Sequence, residues 1–281
     1  MVFKIIYDKI LKASAFGYLP QNCDISFDYK VDHEYLSNLE KIALINQFNQ
    51  IRHKDEIQTF VNATNWVSKI LLSDRDAIIE PISGYELVHK VQEGIYAANC
   101  YAHAVVLNDV FHLLGYTSRY VFCLPVDYHY SDNHVVNLVY SKQQNKWMLF
   151  DAAQNLYYTD ENGVILSIQE LRRCFIEDKH INVCLLDVYW SNLDRKERIM
   201  FQNKNLVYMM KNMYRFHCFK NSYMDRLANH RKVIHYHLVP ANYMKTPFTQ
   251  IFYDMETATK HIEIYSSDEE EFWSVPKDDE N

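Results

Sequence analysis

Three side chains in this sequence have the types and the order of a nucleophilic device: Cys100, His134 and Asp151. A thiol with a pKa of about 8.5 is mostly protonated at neutral pH, so a nucleophilic cysteine needs a base and a favourable field. The run NCYAHAVVLNDVFHLL from Asn99 to Leu114 predicts a helix that is apolar around most of its circumference, and therefore buried. Asn99 suits its N-cap and Gly115 its C′ position. Cys100 then falls in the first turn, where unpaired N–H groups and the helix dipole favour a thiolate. The N–H of Cys100 itself points where an oxyanion would form.

His134 opens a strand-like run, and Asp151 closes the next one, WMLFD. The polar SKQQNK between the runs reads as a hairpin turn. Counted from its centre, between Gln143 and Gln144, His134 lies 9.5 positions back and Asp151 7.5 forward. An offset of two keeps both on one face as diagonal neighbours. An aspartate so placed holds the imidazole tautomer and stabilises the imidazolium.

The elements around these residues follow an α+β order, helices first and then an antiparallel sheet. The N-terminal MVFKIIYDKILKASAFGYLP is broken by Lys4, Asp8, Lys9 and Lys12 and reads as an amphipathic helix, not as a signal peptide. Leu36, Leu39, Ile42, Ala43 and Phe48 suggest further helix up to about residue 50. A helix is expected from Asp55 to Leu72 and a loop over residues 73–83. Beyond Tyr116, strands are expected at Tyr120–Leu124, Val135–Tyr140 and Trp147–Phe150, and DENG at Asp160–Gly163 marks a turn before a helix starting near Ser167. Past Ile176 the pattern predicts a helix at Leu206–Phe216 and strands at Val233–Val239, Gln250–Tyr253 and His261–Tyr265.

Composition narrows the function. The formal charge is −7, but between Asp268 and Asn281 seven acids face one base, Lys277, so nearly all of it sits in that tail. The nearly neutral body, without a Lys/Arg cluster, is a poor surface for nucleic acid or an anionic membrane. No run approaches the ~18 uninterrupted apolar residues of a membrane span. Only five glycines and six prolines are present, which argues against flexible linkers. The six cysteines (23, 100, 123, 174, 184 and 218) form no CxxC pair, a pattern that fits reduced thiols and a cytoplasmic protein.

Each candidate also has a plainer role. Cys23, Cys123, Cys174, Cys184 and Cys218 read as small core residues. His103, three residues after Cys100, reads as a hydrogen-bonded helix histidine, and Trp66 as a core anchor. His230, His235 and His237 invite a metal reading, but no Cys or carboxylate stands at ligand spacing, so neither a metal nor another cofactor is expected.

The run GIYAANCYAHAVVLNDVFHLLGYTSRYV resembles the nucleophile segment of the transglutaminase-like superfamily, with Cys at the start of a buried helix, then LxxLG and an Arg-aromatic strand. NHVVNLVYSKQQNKWMLFDAAQNLYY resembles the block that follows it, HxxNxxY, a turn and KWxxFD. The resemblance covers about residues 55–175. It implies a papain-like α+β fold in which a buried nucleophile helix packs on an antiparallel sheet. Cys100 would be the nucleophile, His134 the general base and acid, and Asp151 the orienter. In that family a side chain upstream of the nucleophile often completes the oxyanion hole, a place open to Trp66 or Asn65. The expected layout is a helical extension (1–54), a catalytic core (55–175), an α+β extension packed on it (176–267) and an acidic tail (268–281). The implied activity is acyl transfer or hydrolysis on a peptide or protein amide, with hydrolysis favoured. The zinc-binding CxxC pairs of peptide N-glycanase relatives are missing, and nothing resembles a calcium site. The rival reading is a non-catalytic peptide-binding module that keeps the fold.

Overall fold

The computed structural model describes residues 2–17, 25–31, 37–38, 40–41, 50–71, 83–94, 97–127, 132–186, 192–222, 232–243 and 249–276. Its centre is a nine-stranded sheet of order β5-β4-β3-β2-β1-β6-β7-β9-β8. The strands are β1 (Ser118–Leu124), β2 (His134–Ser141), β3 (Lys146–Asp151), β4 (Leu156–Thr159), β5 (Asn182–Leu185), β6 (Arg215–Phe219), β7 (Lys232–Leu238), β8 (Thr249–Asp254) and β9 (Thr259–Ser266). The expected antiparallel sheet is mixed: β7 and β9 run parallel, because β8 inserts at the edge and β9 returns inside it.

Helices cover both faces. On one lie α2 (Glu56–Ile70), α3 (Gly84–Gln92) and α4 (Cys100–Leu113), whose Phe60, Val67, Leu87, Val105 and Phe111 share a core with Tyr120, Val135, Val139 and Phe150 of the sheet. On the other lie α1 (Val2–Lys12), α5 (Ile168–Ile176), α6 (Arg195–Asn212) and the short α7 (Glu269–Phe272). Their Leu11, Leu171, Met209 and Phe272 pack with Val121, Val136, Leu138 and Leu149. Strand β2 is therefore buried at every position, with alternate side chains entering two different cores.

The α4 helix is capped as its sequence predicts. Asn99 accepts from the Ala102 N–H at 3.0 Å. At the other end Gly115 has φ +88°, with Gly115 N–H bonded to His112 and Tyr116 N–H to Phe111 carbonyls, each at 2.9 Å. That paired pattern is a Schellman motif, and it needs the left-handed conformation that glycine adopts without strain.

Two expectations change. The helix placed at Leu206–Phe216 runs from Arg195 to Asn212, and Arg215–Phe219 is a strand paired with both β1 and β7. The helix opens on the charged residues 195–198 and the exposed Ile199 and Met200, so apolar spacing toward the core reports only its buried end. The helix α3 was not anticipated, although Ser83 and Glu86 form its capping box. The helical residues expected at Leu36, Leu39, Ile42, Ala43 and Phe48, and the loop over 73–82, lie outside the described residues. Among the described residues no helix is long and apolar enough to cross a membrane, and all five described cysteines are free thiols.

The α3 helix docks on α4 through the Gly84 N–H, which donates to the buried Asp109 carboxylate at 3.0 Å. A Cβ on Gly84 would stand 2.3 Å from Asp109 Oδ2. We expect Gly84→Ala to destabilise the protein by about 1–3 kcal/mol through overpacking. The measurement is urea unfolding: the midpoint should fall at unchanged slope, and an unchanged midpoint would show that α3 does not depend on this approach.

Candidate active site

The local sequence explains how each candidate reaches the site. The Asn99 cap starts α4 one residue before Cys100, so the thiol and its own N–H occupy the open end of the helix. The hairpin register pairs Ser141 with Lys146 and Asn137 with Phe150, which puts His134 and Asp151 on one face as diagonal neighbours. Asn137, on the opposite face of β2, donates to the Ala104 carbonyl at 2.8 Å and ties that strand to α4.

The structure brings the three residues together. His134 Nε2 lies 2.6 Å from Asp151 Oδ2, and both side chains are almost wholly buried, at 2% and 1% exposure. The other Asp151 oxygen accepts from the Gln154 N–H at 3.1 Å. With Nε2 held by Asp151, Nδ1 is the nitrogen left for the thiol, and His134 and the Val135 N–H both lower the titration of Cys100.

These contacts shift both titrations. Burial pushes the Cys100 thiol up, but the hydrogen bond and charge of His134, with the Val135 N–H, outweigh it and hold the thiol below its ordinary value. Burial also pushes His134 down, yet the charge and hydrogen bond of Asp151, aided by Cys100, carry it up to about 10. The pair thus favours thiolate and imidazolium between two linked titrations. Because the folded value of His134 exceeds the unfolded value of about 6.5, its stabilising contribution is complete below that pH. It is lost as pH rises through about 10.

The remaining candidates take supporting places. His103 Nδ1–H donates to the Asn99 carbonyl at 2.8 Å. Burial pushes its pKa down, against the Asn99 and Leu71 carbonyls and the Asp151 charge, and the single N–H of the neutral ring is spent on Asn99. Trp66 packs half-buried against the core around α4. Its neighbour Asn65 accepts from Asn155 Nδ2 at 3.0 Å, which links α2 to the turn after Asp151. That turn was not singled out from sequence, although Asn155, at φ 51°, is a residue type tolerant of the left-handed region. The ring nitrogens of His235 are taken by His217 at 3.0 Å and His261 at 2.9 Å. His230 lies outside the described residues, and among those described no group of three or more His, Cys, Asp or Glu could hold a metal ion.

No family model matches the chain, and no curated protein does. Among solved structures, one described as a "Putative Cysteine Protease from Cytophaga hutchinsonii" is similar to it at 14% identity, with a TM-score of 0.34. The alignment covers 57% of this chain and 58% of that one. At that distance the likeness carries no argument, and the chemistry rests on the geometry.

The pair has a direct signature in alkylation by iodoacetamide. The pH profile of Cys100 should have its midpoint below that of an ordinary thiol. In His134→Ala the lowering by the imidazole is lost, and burial with the Asp151 charge is opposed only by the Val135 N–H, so the midpoint should move up. Identical profiles in the two proteins would show that the imidazole does not activate the thiol.

Proposed function

We propose that the protein is a cysteine enzyme of transglutaminase-like type that hydrolyses a peptide or side-chain amide through Cys100, His134 and Asp151. The observation that carries the reading is a buried imidazole bonded to a buried carboxylate at 2.6 Å, beside a thiol at a helix N-terminus whose titration that imidazole lowers. A lone buried cysteine needs no such partners, and a histidine paired only for structure needs no thiol.

The steps follow from the geometry. The Cys100 thiolate attacks the amide carbonyl carbon, forming a C–S bond and moving the π electrons onto oxygen, where the Cys100 N–H stabilises them. Collapse breaks the C–N bond, and the proton on His134 Nδ1 passes to the leaving nitrogen. A thioester and a neutral imidazole remain. His134 then takes a proton from water as the hydroxyl adds to the thioester. The second collapse releases a carboxylic acid and restores the thiolate–imidazolium pair. Asp151 accepts the Nε2–H throughout, fixing the tautomer and offsetting the imidazolium charge. Water is the acceptor in this reading because it needs no second binding site.

A panel of glutamine-containing peptides, incubated with and without an added primary amine and read by mass spectrometry, tests the reading. Hydrolysis of a backbone amide yields two shorter peptides. Hydrolysis of the glutamine side chain leaves the peptide intact and releases ammonia. We expect one of these products at a rate unaffected by the amine and abolished in Cys100→Ala. An amine adduct in place of either would replace hydrolysis by transamidation. Turnover that survives Cys100→Ala would end the cysteine mechanism.

A further inference from the structure

Strand alternation places His134 and Asp151 on the sheet face shared with Val136, Leu138 and Leu149, where α6 packs through Met209 and Met210. That helix lies beyond the segment that carries the resemblance. Three of its residues, spaced i, i+3 and i+6, nevertheless reach groups on either side of the dyad.

Asn205 is 4% exposed and belongs to the Asp151 side. Its Nδ2 donates to Gln154 Oε1 at 2.5 Å, and its Oδ1 accepts from the Tyr158 hydroxyl at 2.8 Å. The backbone N–H of the same Gln154 donates to the Asp151 oxygen that His134 does not use. Tyr208 belongs to the His134 side. Its hydroxyl donates to the Asn133 carbonyl at 2.9 Å, with Asp132 Oδ1 3.4 Å from the same oxygen. Its ring meets the His134 ring edge-on, with centroids 5.4 Å apart. Lys211 completes the grip: Nζ donates to the Asp132 carbonyl at 3.0 Å and pairs with the Asp132 carboxylate. The ammonium also lies 4.7 Å from the Tyr208 ring centroid.

We propose that α6 is a positioning clamp for the candidate dyad: Asn205 sets Asp151 through Gln154, and Tyr208 with Lys211 sets the backbone and ring plane of His134. The physical need is strict. Proton transfer depends on imidazole orientation, and His134 is the first residue of its strand, where the ladder constrains it from one side only. A bond from Tyr208 to the carbonyl just before it supplies the missing constraint, and the tyrosine ring blocks rotation of the imidazole. These α6 side chains act through His134 and Asp151. The inference rests on the reading of Cys100, His134 and Asp151 as a working triad.

The test compares wild type with Tyr208→Phe, Asn205→Ala and Met200→Ala, the last an exposed position on the same helix. Three readouts are taken: the pH profile of Cys100 alkylation, the low-field proton on His134 Nε2 in histidine-labelled NMR samples, and the melting temperature. Tyr208→Phe and Asn205→Ala should move the alkylation midpoint toward that of an ordinary thiol and slow neutral-pH alkylation by about tenfold. They should also shift the His134 resonance, while Met200→Ala leaves both unchanged. A merely structural role would lower the melting temperature with profile and resonance intact, and that result in both variants overturns the clamp. Should Asn205→Ala not fold, Gln154→Ala cuts the same link from its other end and is judged by the same readouts. An ordinary thiol profile in wild type would instead defeat the triad reading, and the clamp would then stand or fall on the His134 resonance.

Discussion

Separating charge between Cys100 and His134 inside the protein is the step on which the proposed chemistry depends. Burial opposes both ions, pushing the thiol up and the imidazole down. Neither group overcomes that penalty alone. Each supplies the counter-charge for the other, and Asp151 adds a second stabilising charge to the imidazolium at 2.6 Å. The carboxylate is in turn held by the Gln154 N–H. The low-dielectric surroundings that make ionisation costly also make these contacts strong.

The fold meets this requirement by using both faces of one strand. The thiol arrives on α4, packed against the face of β2 that carries Val135, Asn137 and Val139. The imidazole and carboxylate belong to the opposite face, with Val136 and Leu149. The two sets meet only at the first residue of β2, where the strand ends and a side chain can face the helix terminus. This explains why β2 is buried along its whole length. It also explains why the Asn99 cap matters: moving the start of α4 by one residue would turn the thiol by about 100° around the helix axis.

Much of this arrangement was legible because it is local. A four-residue turn, Lys142–Asn145, sets the register that makes His134 and Asp151 diagonal neighbours, and period-two alternation carries it from turn to site. Asn99 and Gly115 mark the ends of α4 by side-chain chemistry alone. What escaped was non-local or masked by polarity. The buried residues of α6 lie in its second half, and Ile199 and Met200 in its first half are exposed. A core-facing pattern therefore places the helix late, though Asp194 and Glu197 form a capping box at its start. The first two residues of the strand Arg215–Phe219 fall in the helix expected from sequence, because the neighbours that make them a strand, β1 and β7, are distant in sequence. The Asn65–Asn155 and Asn205–Gln154 links share that character, since side chains from separate elements leave no periodicity to read.

The central claim is that Cys100 forms a covalent acyl intermediate. Active-site titration with a nitrophenyl ester of a short acylated peptide tests it most directly. The account requires a burst of nitrophenol equivalent to the enzyme present, with the acyl mass mapped to the peptide that contains Cys100 and no burst in Cys100→Ala. Linear release without a burst, together with acylation spread over Cys184 and the other thiols, would contradict it.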